Sequence, residues 1–172
     1  QEILSDPSYA KQIITFTYPH IGNTGINPED FQGAGIYAAG LVIKSLSTFV
    51  SNWRATISLQ DYLLQQKTVA ISGIDTRGLT HILRTEGALR GCIMAGDIDE
   101  QKALAAAQKF SGLNGVNLSN VATTKDVYIL NPQGDLHLVL IDFGTKQNII
   151  DCLIKLGAKI TVVPADTSPE CI

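Results

Sequence analysis

The sequence has no apolar stretch long enough to cross a membrane. Its uninterrupted apolar runs, such as Ile36 to Ile43, fall far short of the roughly 20 residues that a bilayer-spanning helix requires. A membrane-embedded protein is therefore excluded as a hypothesis, and we expect a globular chain.

Cysteine and positive charge are also scarce. The three cysteines, Cys92, Cys152 and Cys171, include no Cys-x-x-Cys pair, which argues against a disulfide framework and a cysteine-built zinc site. We therefore expect a reducing, cytoplasmic setting. The 13 basic residues are outnumbered by 16 acidic ones, for a net charge of −3. This balance gives no cationic footprint for nucleic acid or an anionic membrane.

The chain does contain enough apolar material for a core. It has 172 residues, of which 45% are hydrophobic, and this length corresponds to one domain or to one domain and the opening of a second. The sequence starts at Gln1 without a methionine or a signal-peptide pattern. We expect it to be a piece of a longer protein.

Strand and helix patterns alternate over the first 110 residues. The predicted strands are Ile13–Tyr18, Ile36–Ile43, Val69–Ser72 and Leu89–Ala95. The predicted helices run from Ser58 to about Gln66, from Asp75 or Thr76 to a stop at Gly87, and from an Asp97 cap to about Phe110. The segment Ile21 to Pro28 is rich in glycine and asparagine, which predicts a loop with positive φ angles.

A change of composition predicts a second domain near the carboxyl end. The turn cluster Asn131-Pro132-Gln133-Gly134-Asp135 precedes an apolar strand, Leu136 to Asp142. A helix that stops at Gly157 and a strand from Lys159 to Val163 follow. This order predicts a βαβ unit with parallel strands. Since one such unit leaves apolar faces uncovered, we expect it to open a larger α/β domain.

Two short motifs match known functional patterns without their context. Gly33 to Ala38 has the G-x-G-x-x-A spacing of a dinucleotide fingerprint, but that motif requires a strand before it and a helix after it. Asp142-Phe143-Gly144 matches a metal-binding triplet of protein kinases, yet no kinase phosphate loop accompanies it. We interpret the first as a plain turn and the second as the junction of a strand and a helix.

The candidate reactive side chains show no catalytic arrangement. His20, His81 and His137 are predicted in a loop, on a helix and on a strand, with no metal-ligand spacing; for His20 a functional role stays open. Cys92 and Cys152 are predicted to be buried and inert, and Cys171 ends the chain.

The segment Asp75-Thr76-Arg77 leaves two interpretations open. It precedes a predicted helix, where free backbone N–H groups and Arg77 could bind an anion. A simple helix cap explains the same residues and is the favoured interpretation.

Several sequence blocks resemble one known family. Similar blocks occur at this order and spacing in the small subunit of glutamine-hydrolysing carbamoyl-phosphate synthase, in its amino-terminal region. They are Gln1 to Tyr9, Gln12 to Asn27, Ala38 to Ile43, Ser51 to Ala55, Gly73 to Arg77, Gly87 to Gly91, and Asp142 to Gly144 with Lys146, Asn148 and Ile149.

The resemblance implies a fold, a function and a partner. The implied fold is α/β, with a swivelling β/β/α domain over residues 1–130 and the first βαβ unit of a class I glutamine amidotransferase domain over residues 131–172. In the family, that second domain hydrolyses glutamine with a Cys-His-Glu triad. The ammonia passes to the large subunit, which uses MgATP to make carbamoyl phosphate for arginine and pyrimidine synthesis.

The family's Gly-x-Cys-x-Gly nucleophile motif does not occur in this sequence. We therefore expect no catalytic, cofactor-binding or metal-binding residue here, and the large subunit as the partner. A non-catalytic module that docks on the large subunit is the alternative, and a dinucleotide-binding protein is a third hypothesis.

Overall fold

A computed structural model describes all 172 residues, and the chain forms two compact units. Unit 1 comprises Gln1, residues 11–30 and residues 38–116; unit 2 comprises residues 2–10, 31–37 and 117–172. Both units combine helices with parallel strands, so the predicted mixed α/β class is confirmed. These two units are defined by packing contacts, whereas the predicted domains are consecutive stretches of sequence. The predicted division after residue 130 therefore stays a prediction.

The helices and strands are short. The α-helices are α1 (Glu2–Ser5), α2 (Leu59–Gln65), α3 (Thr76–Glu86), α4 (Glu100–Lys109), α5 (Ser119–Ala122) and α6 (Gln147–Lys155). The strands are β1 (Ile13–Thr15), β2 (His20–Ile21), β3 (Gly40–Val42), β4 (Ser45–Leu46), β5 (Val69–Ile71), β6 (Tyr128–Leu130), β7 (Leu136–Asp142) and β8 (Ala158–Pro164). Single-turn 3-10 helices cover Pro7–Tyr9, Pro28–Asp30 and Pro169–Cys171. No helix combines the length and the hydropathy that crossing a bilayer requires.

Unit 1 is built on a parallel sheet in the order β1-β3-β5, with a separate parallel pair β2-β4. Leu41 of the central strand pairs with Ile14 and Ala70 and is fully buried. Helix α2 starts because the hydroxyl of Ser58 accepts a hydrogen bond from the Asp61 N–H at 3.0 Å. Its buried face is formed by Leu59, Tyr62 and Leu63, whose spacing follows the helical period.

In unit 1, sequence predictions of one strand and one helix cap are wrong, and the strand predicted over Ile36–Ile43 is confined to Gly40–Val42. Residues Leu89 to Ala95 form no strand; Gly91 offers no side chain to pack, and a strand gains stability only from a partner edge. Gly91 and Ile93 lie close to the sheet, beside Ile13 and Gly40 respectively, without pairing to it. Helix α4 is capped by Asp99, whose carboxylate accepts from the Lys102 N–H at 2.9 Å, and not by Asp97.

Unit 2 contains the predicted βαβ arrangement. Strands β7 and β8 are parallel over seven residue pairs, and β6 pairs with β8 in the antiparallel direction, so that β8 is central. Ile160 and Val162 of β8 are fully buried and share one core cluster with Ile150 of α6. On β7, by contrast, Val139 and Ile141 are 39% and 40% exposed. The sheet of unit 2 thus has apolar side chains that nothing in the unit fully covers.

Candidate functional site

A small cavity of about 270 Å³ lies where strand β7 ends. Its lining combines a polar and an apolar group of residues: Ser8, Gly144, Thr145 and Lys146, together with Ile141, Phe143 and Ile149. The carboxyl ends of parallel strands are where open α/β sheets bind their ligands. This cavity is therefore the candidate site of unit 2.

The floor of the site is a turn fixed by Asp142. One carboxylate oxygen accepts hydrogen bonds from the Gly144 N–H at 3.0 Å and the Thr145 N–H at 2.8 Å. The other accepts from the Thr124 N–H at 2.6 Å. Gly144 has φ +99°, and a Cβ there would lie 2.8 Å from the Cβ of Ala122. Asp142 is thus a structural anchor, which confirms that Asp142-Phe143-Gly144 joins a strand to a helix.

The polar side of the site is organised by a second carboxylate, that of Asp6. Its side chain is 4% exposed and lies 2.8 Å from the ammonium group of Lys146. It also accepts a hydrogen bond from the Ser8 N–H at 2.9 Å. Burial alone would raise the pKa of Asp6, but the hydrogen bonds from Lys146 and Ser8 outweigh it and lower the pKa below its usual value. The same contact raises the pKa of Lys146.

This arrangement is suited to binding and not to covalent chemistry. No cysteine or histidine lines the cavity, so it has neither a thiol nucleophile nor an imidazole base. Ser8 and Lys146 line its polar side, where both side chains also hydrogen-bond the Asp6 carboxylate, and Phe143 belongs to its apolar wall.

The dinucleotide motif is not formed. No strand leads directly into Gly33, and no helix lies between Ala38 and β3. The interpretation as a plain turn is therefore confirmed. A Cβ on Gly33 would lie 2.8 Å from the Ser5 carbonyl oxygen and 2.7 Å from the Tyr37 ring. Close packing explains this glycine.

The interpretation of Asp75 as a helix cap is also confirmed. Its carboxylate accepts a hydrogen bond from the Gly78 N–H at 3.1 Å, at the start of α3. That carboxylate occupies the position an anion would need. Arg77 is exposed and forms no ion pair.

The histidines lie on three different elements, β2, α3 and β7. His20 is therefore on a two-residue strand and not in a loop. His137 is hydrogen-bonded to the hydroxyl of Thr161 at 2.8 Å, across the β7–β8 pair.

The prediction that two cysteines are buried is wrong, because all three are exposed. Cys92 lies in the segment that forms no strand. Cys152 follows the buried Ile150 of α6 by two positions, and two residues rotate a helix by about 200°, which turns Cys152 away from the core. None of the three borders the cavity.

Sequence reasoning missed the polar side of the site. Asp6, Pro7 and Ser8 have the pattern of a capped turn, and this local signal could have been noticed. The ion pair to Lys146 joins residues 140 positions apart, and no local pattern indicates it.

Comparison with known proteins decides the family. The model of the family "Carbamoyl-phosphate synthase small chain, CPSase domain" matches residues 1–93, which is more than half of the 172 residues. The chain belongs to the carbamoyl-phosphate synthase small-chain family. The resemblance stated from the sequence blocks is thereby confirmed.

Curated members of the family are similar over nearly the whole chain. The carbamoyl phosphate synthase small chain of Thioalkalivibrio sulfidiphilus (strain HL-EbGR7) is 53% identical over 97% of this chain and 48% of its own length. That of Pseudomonas syringae pv. tomato is 51% identical, over 97% and 49%. That of Vibrio cholerae serotype O1 is 50% identical, over 99% and 49%. The chain therefore spans about half the length of the small chains it matches.

Proposed function

We propose that this chain forms part of the ammonia-supplying small subunit of a cytoplasmic, glutamine-hydrolysing carbamoyl-phosphate synthase. In the complete subunit, glutamine is hydrolysed and ammonia is delivered to a large subunit, which makes carbamoyl phosphate for arginine and pyrimidine synthesis. The observation that carries the proposal is the similarity to small chains, 53% in one case over 97% of the chain.

The fold that accompanies this function is a swivelling domain over residues 1–130 and the first βαβ unit of a glutamine amidotransferase domain over residues 131–172. The exposed apolar side chains of β7 support the second part, since parallel sheets occur with both faces covered. Strand β7 is also an edge of its sheet, and further strands of a larger domain would pair there.

The role of this chain in the reaction is recognition. The cavity beside Lys146 has an ammonium group and a hydroxyl on one side and an apolar wall on the other. Glutamine has a charged α-carboxylate and an aliphatic stem. The carboxylate would accept from the N–H groups of Lys146 that Asp6 does not use, and the stem would lie against the apolar wall. The nucleophile and its base belong to parts of the subunit outside these residues, and MgATP belongs to the large subunit.

The first test is a glutaminase assay on the 172-residue chain alone. We expect no turnover above background, because the cavity lacks a thiol and a base. The exposed Cys92, Cys152 and Cys171 should react with an alkylating reagent as ordinary thiols, without protection by glutamine. Turnover that disappears when one cysteine is changed to serine would contradict the proposal.

The second test uses a complete small subunit that contains these residues, together with its large subunit. We expect Lys146→Met to raise the KM for glutamine about tenfold or more, because it removes the ammonium group. Carbamoyl phosphate synthesis from free ammonia, which bypasses the small subunit, should keep its rate. If the chain is instead a docking module only, glutamine will not support synthesis in the wild-type complex.

A further inference from the structure

One loop of unit 1 exposes aromatic side chains that the fold does not use. Trp53, the only tryptophan of the chain, is 93% exposed, and Phe49 is 80% exposed. Val50 lies between them in sequence and is 38% exposed. We call residues 47–56 the aromatic loop.

The aromatic loop is tied to the preceding loop by backbone hydrogen bonds. The Ser51 N–H donates to the Asn23 carbonyl at 2.9 Å, and the Thr56 N–H donates to the Ile26 carbonyl at 2.8 Å. Trp53 therefore extends from a segment that is fixed at both sides.

The turn that carries Trp53 is also fixed by side chains. The Asn52 side-chain oxygen accepts from the Arg54 N–H at 2.9 Å, and the Ala55 N–H closes the turn on the Asn52 carbonyl at 3.1 Å. The Arg54 guanidinium lies 2.9 Å from Glu29 and 2.8 Å from Asp30. The polar residues around Trp53 thus have structural roles, whereas the tryptophan itself makes almost no contact.

An exposed tryptophan on an ordered turn has the properties of an interface anchor. Tryptophan and phenylalanine are enriched in protein interfaces, and tryptophan is prominent among the residues that dominate binding energy. A fixed turn loses little conformational entropy when it docks. Near the turn, Glu29 and Asp30 share the single guanidinium of Arg54, which leaves one net negative charge. A matching socket is therefore apolar, with a basic residue at its edge.

We propose that the aromatic loop docks on the large subunit, with Trp53 as its anchor in an apolar pocket that has a basic residue at its edge. This inference rests on the proposed function, because the relatives' designation as small chains implies a larger partner chain. The net negative charge of Glu29, Asp30 and Arg54 together sets the charge that the partner must complement.

The experiment measures the affinity of the chain for the large subunit from the same organism. Trp53→Ala should weaken binding about 30-fold, the change in Kd that corresponds to a hot-spot loss of about 2 kcal/mol. Ile98→Ala is the matched control, because Ile98 is also an exposed apolar residue of unit 1, at 75%, outside the aromatic loop. Its affinity should stay within twofold of wild type.

A second readout follows the tryptophan itself. Biosynthetic labelling with 5-fluorotryptophan gives a single ¹⁹F resonance, since the chain has one tryptophan. The resonance should be solvent-exposed in the free chain and shift when the large subunit is added. Far-UV circular dichroism of Trp53→Ala should match wild type, because the side chain is 93% exposed.

The outcomes separate this inference from the proposed function. Equal affinities of wild type and Trp53→Ala overturn the docking role and leave the proposed function standing. No binding by the wild-type chain contradicts both. A ¹⁹F shift that depends on the chain's own concentration, or one already present in a complete small subunit alone, assigns the loop to another occupant and overturns the inference.

Discussion

The loop that follows β2 contains two glycines whose surroundings predict very different costs of substitution. Gly25 has φ +62°, and a Cβ there would lie 2.6 Å from the Cβ of Ala55 and 2.7 Å from a methyl group of Val50. Gly22 has φ +96°, but its nearest neighbours, on Leu46 and Leu59, are 3.3 Å away. An alanine at either position would be held at a positive φ, but its Cβ would overlap neighbouring atoms severely only at Gly25.

A third glycine, Gly73, would show the cost of a positive φ without any steric overlap. Gly73 has φ +85° and no atom within 4 Å of a built Cβ. An alanine at positive φ costs about 1 kcal/mol, and overpacking adds about 1–3 kcal/mol. We therefore expect Gly25→Ala to lower the free energy of unfolding by about 3 kcal/mol, Gly22→Ala by about 1.5 kcal/mol and Gly73→Ala by about 1 kcal/mol.

The assay is urea unfolding followed by far-UV circular dichroism. Tryptophan fluorescence is a poor probe here, because Trp53 is 93% exposed before unfolding. Thermolysin cleavage at low urea would show whether unit 1 opens before the rest of the chain, since unfolding of two units need not be two-state. Equal losses for Gly25→Ala and Gly73→Ala would refute the reasoning, because steric overlap would then contribute nothing.

Two further predictions concern buried polar groups. Lys146→Met should lower the free energy of unfolding at neutral pH, because it removes a charged hydrogen bond to the buried Asp6. Lys125→Met, at an exposed position without an ion pair, should leave it almost unchanged. Since the pKa of Asp6 is lowered in the folded state, the stabilisation from this carboxylate is complete above about pH 4 and is lost as the pH falls further. The free energies of unfolding of the two variants should therefore differ most above that pH and converge below it. Thr76→Val should raise stability by about 1 kcal/mol, because the Thr76 hydroxyl is buried without a hydrogen-bond partner; a loss of stability in thermal melts would show that this hydroxyl has a partner in solution.

Helix ends could be predicted from the sequence because their signals are local. Ser58 and Asp75 cap α2 and α3, and Gly87 ends α3, as the pattern indicates. The strand β7 also has its predicted bounds, since a continuous apolar run between turn residues leaves little freedom. For the helix ends, the deciding contacts lie within four residues of one another.

The errors arise where distant residues decide. A strand at Leu89 to Ala95 needs a partner edge that the local pattern does not reveal, and none forms. Strand β6 has no local signal of its own, because its pairing with β8 joins residues 30 to 34 positions apart. The exposure of Cys152 has a local cause. The helical period that places Ile150 in the core turns Cys152 toward solvent, although its neighbours in sequence are apolar.

The two carboxylates beside the cavity of unit 2 are both engaged in structural contacts. The cavity lies at the carboxyl end of β7, which is an edge strand, so one side of it has no neighbouring strand. A further parallel strand beside β7 would bring its own carboxyl-end loop to the same edge of the sheet. Asp142 already uses its oxygens for three backbone N–H groups, and Asp6 is paired with Lys146. Both carboxylates therefore have structural partners, and under the proposed function the nucleophile and its base would come from added loops of that kind.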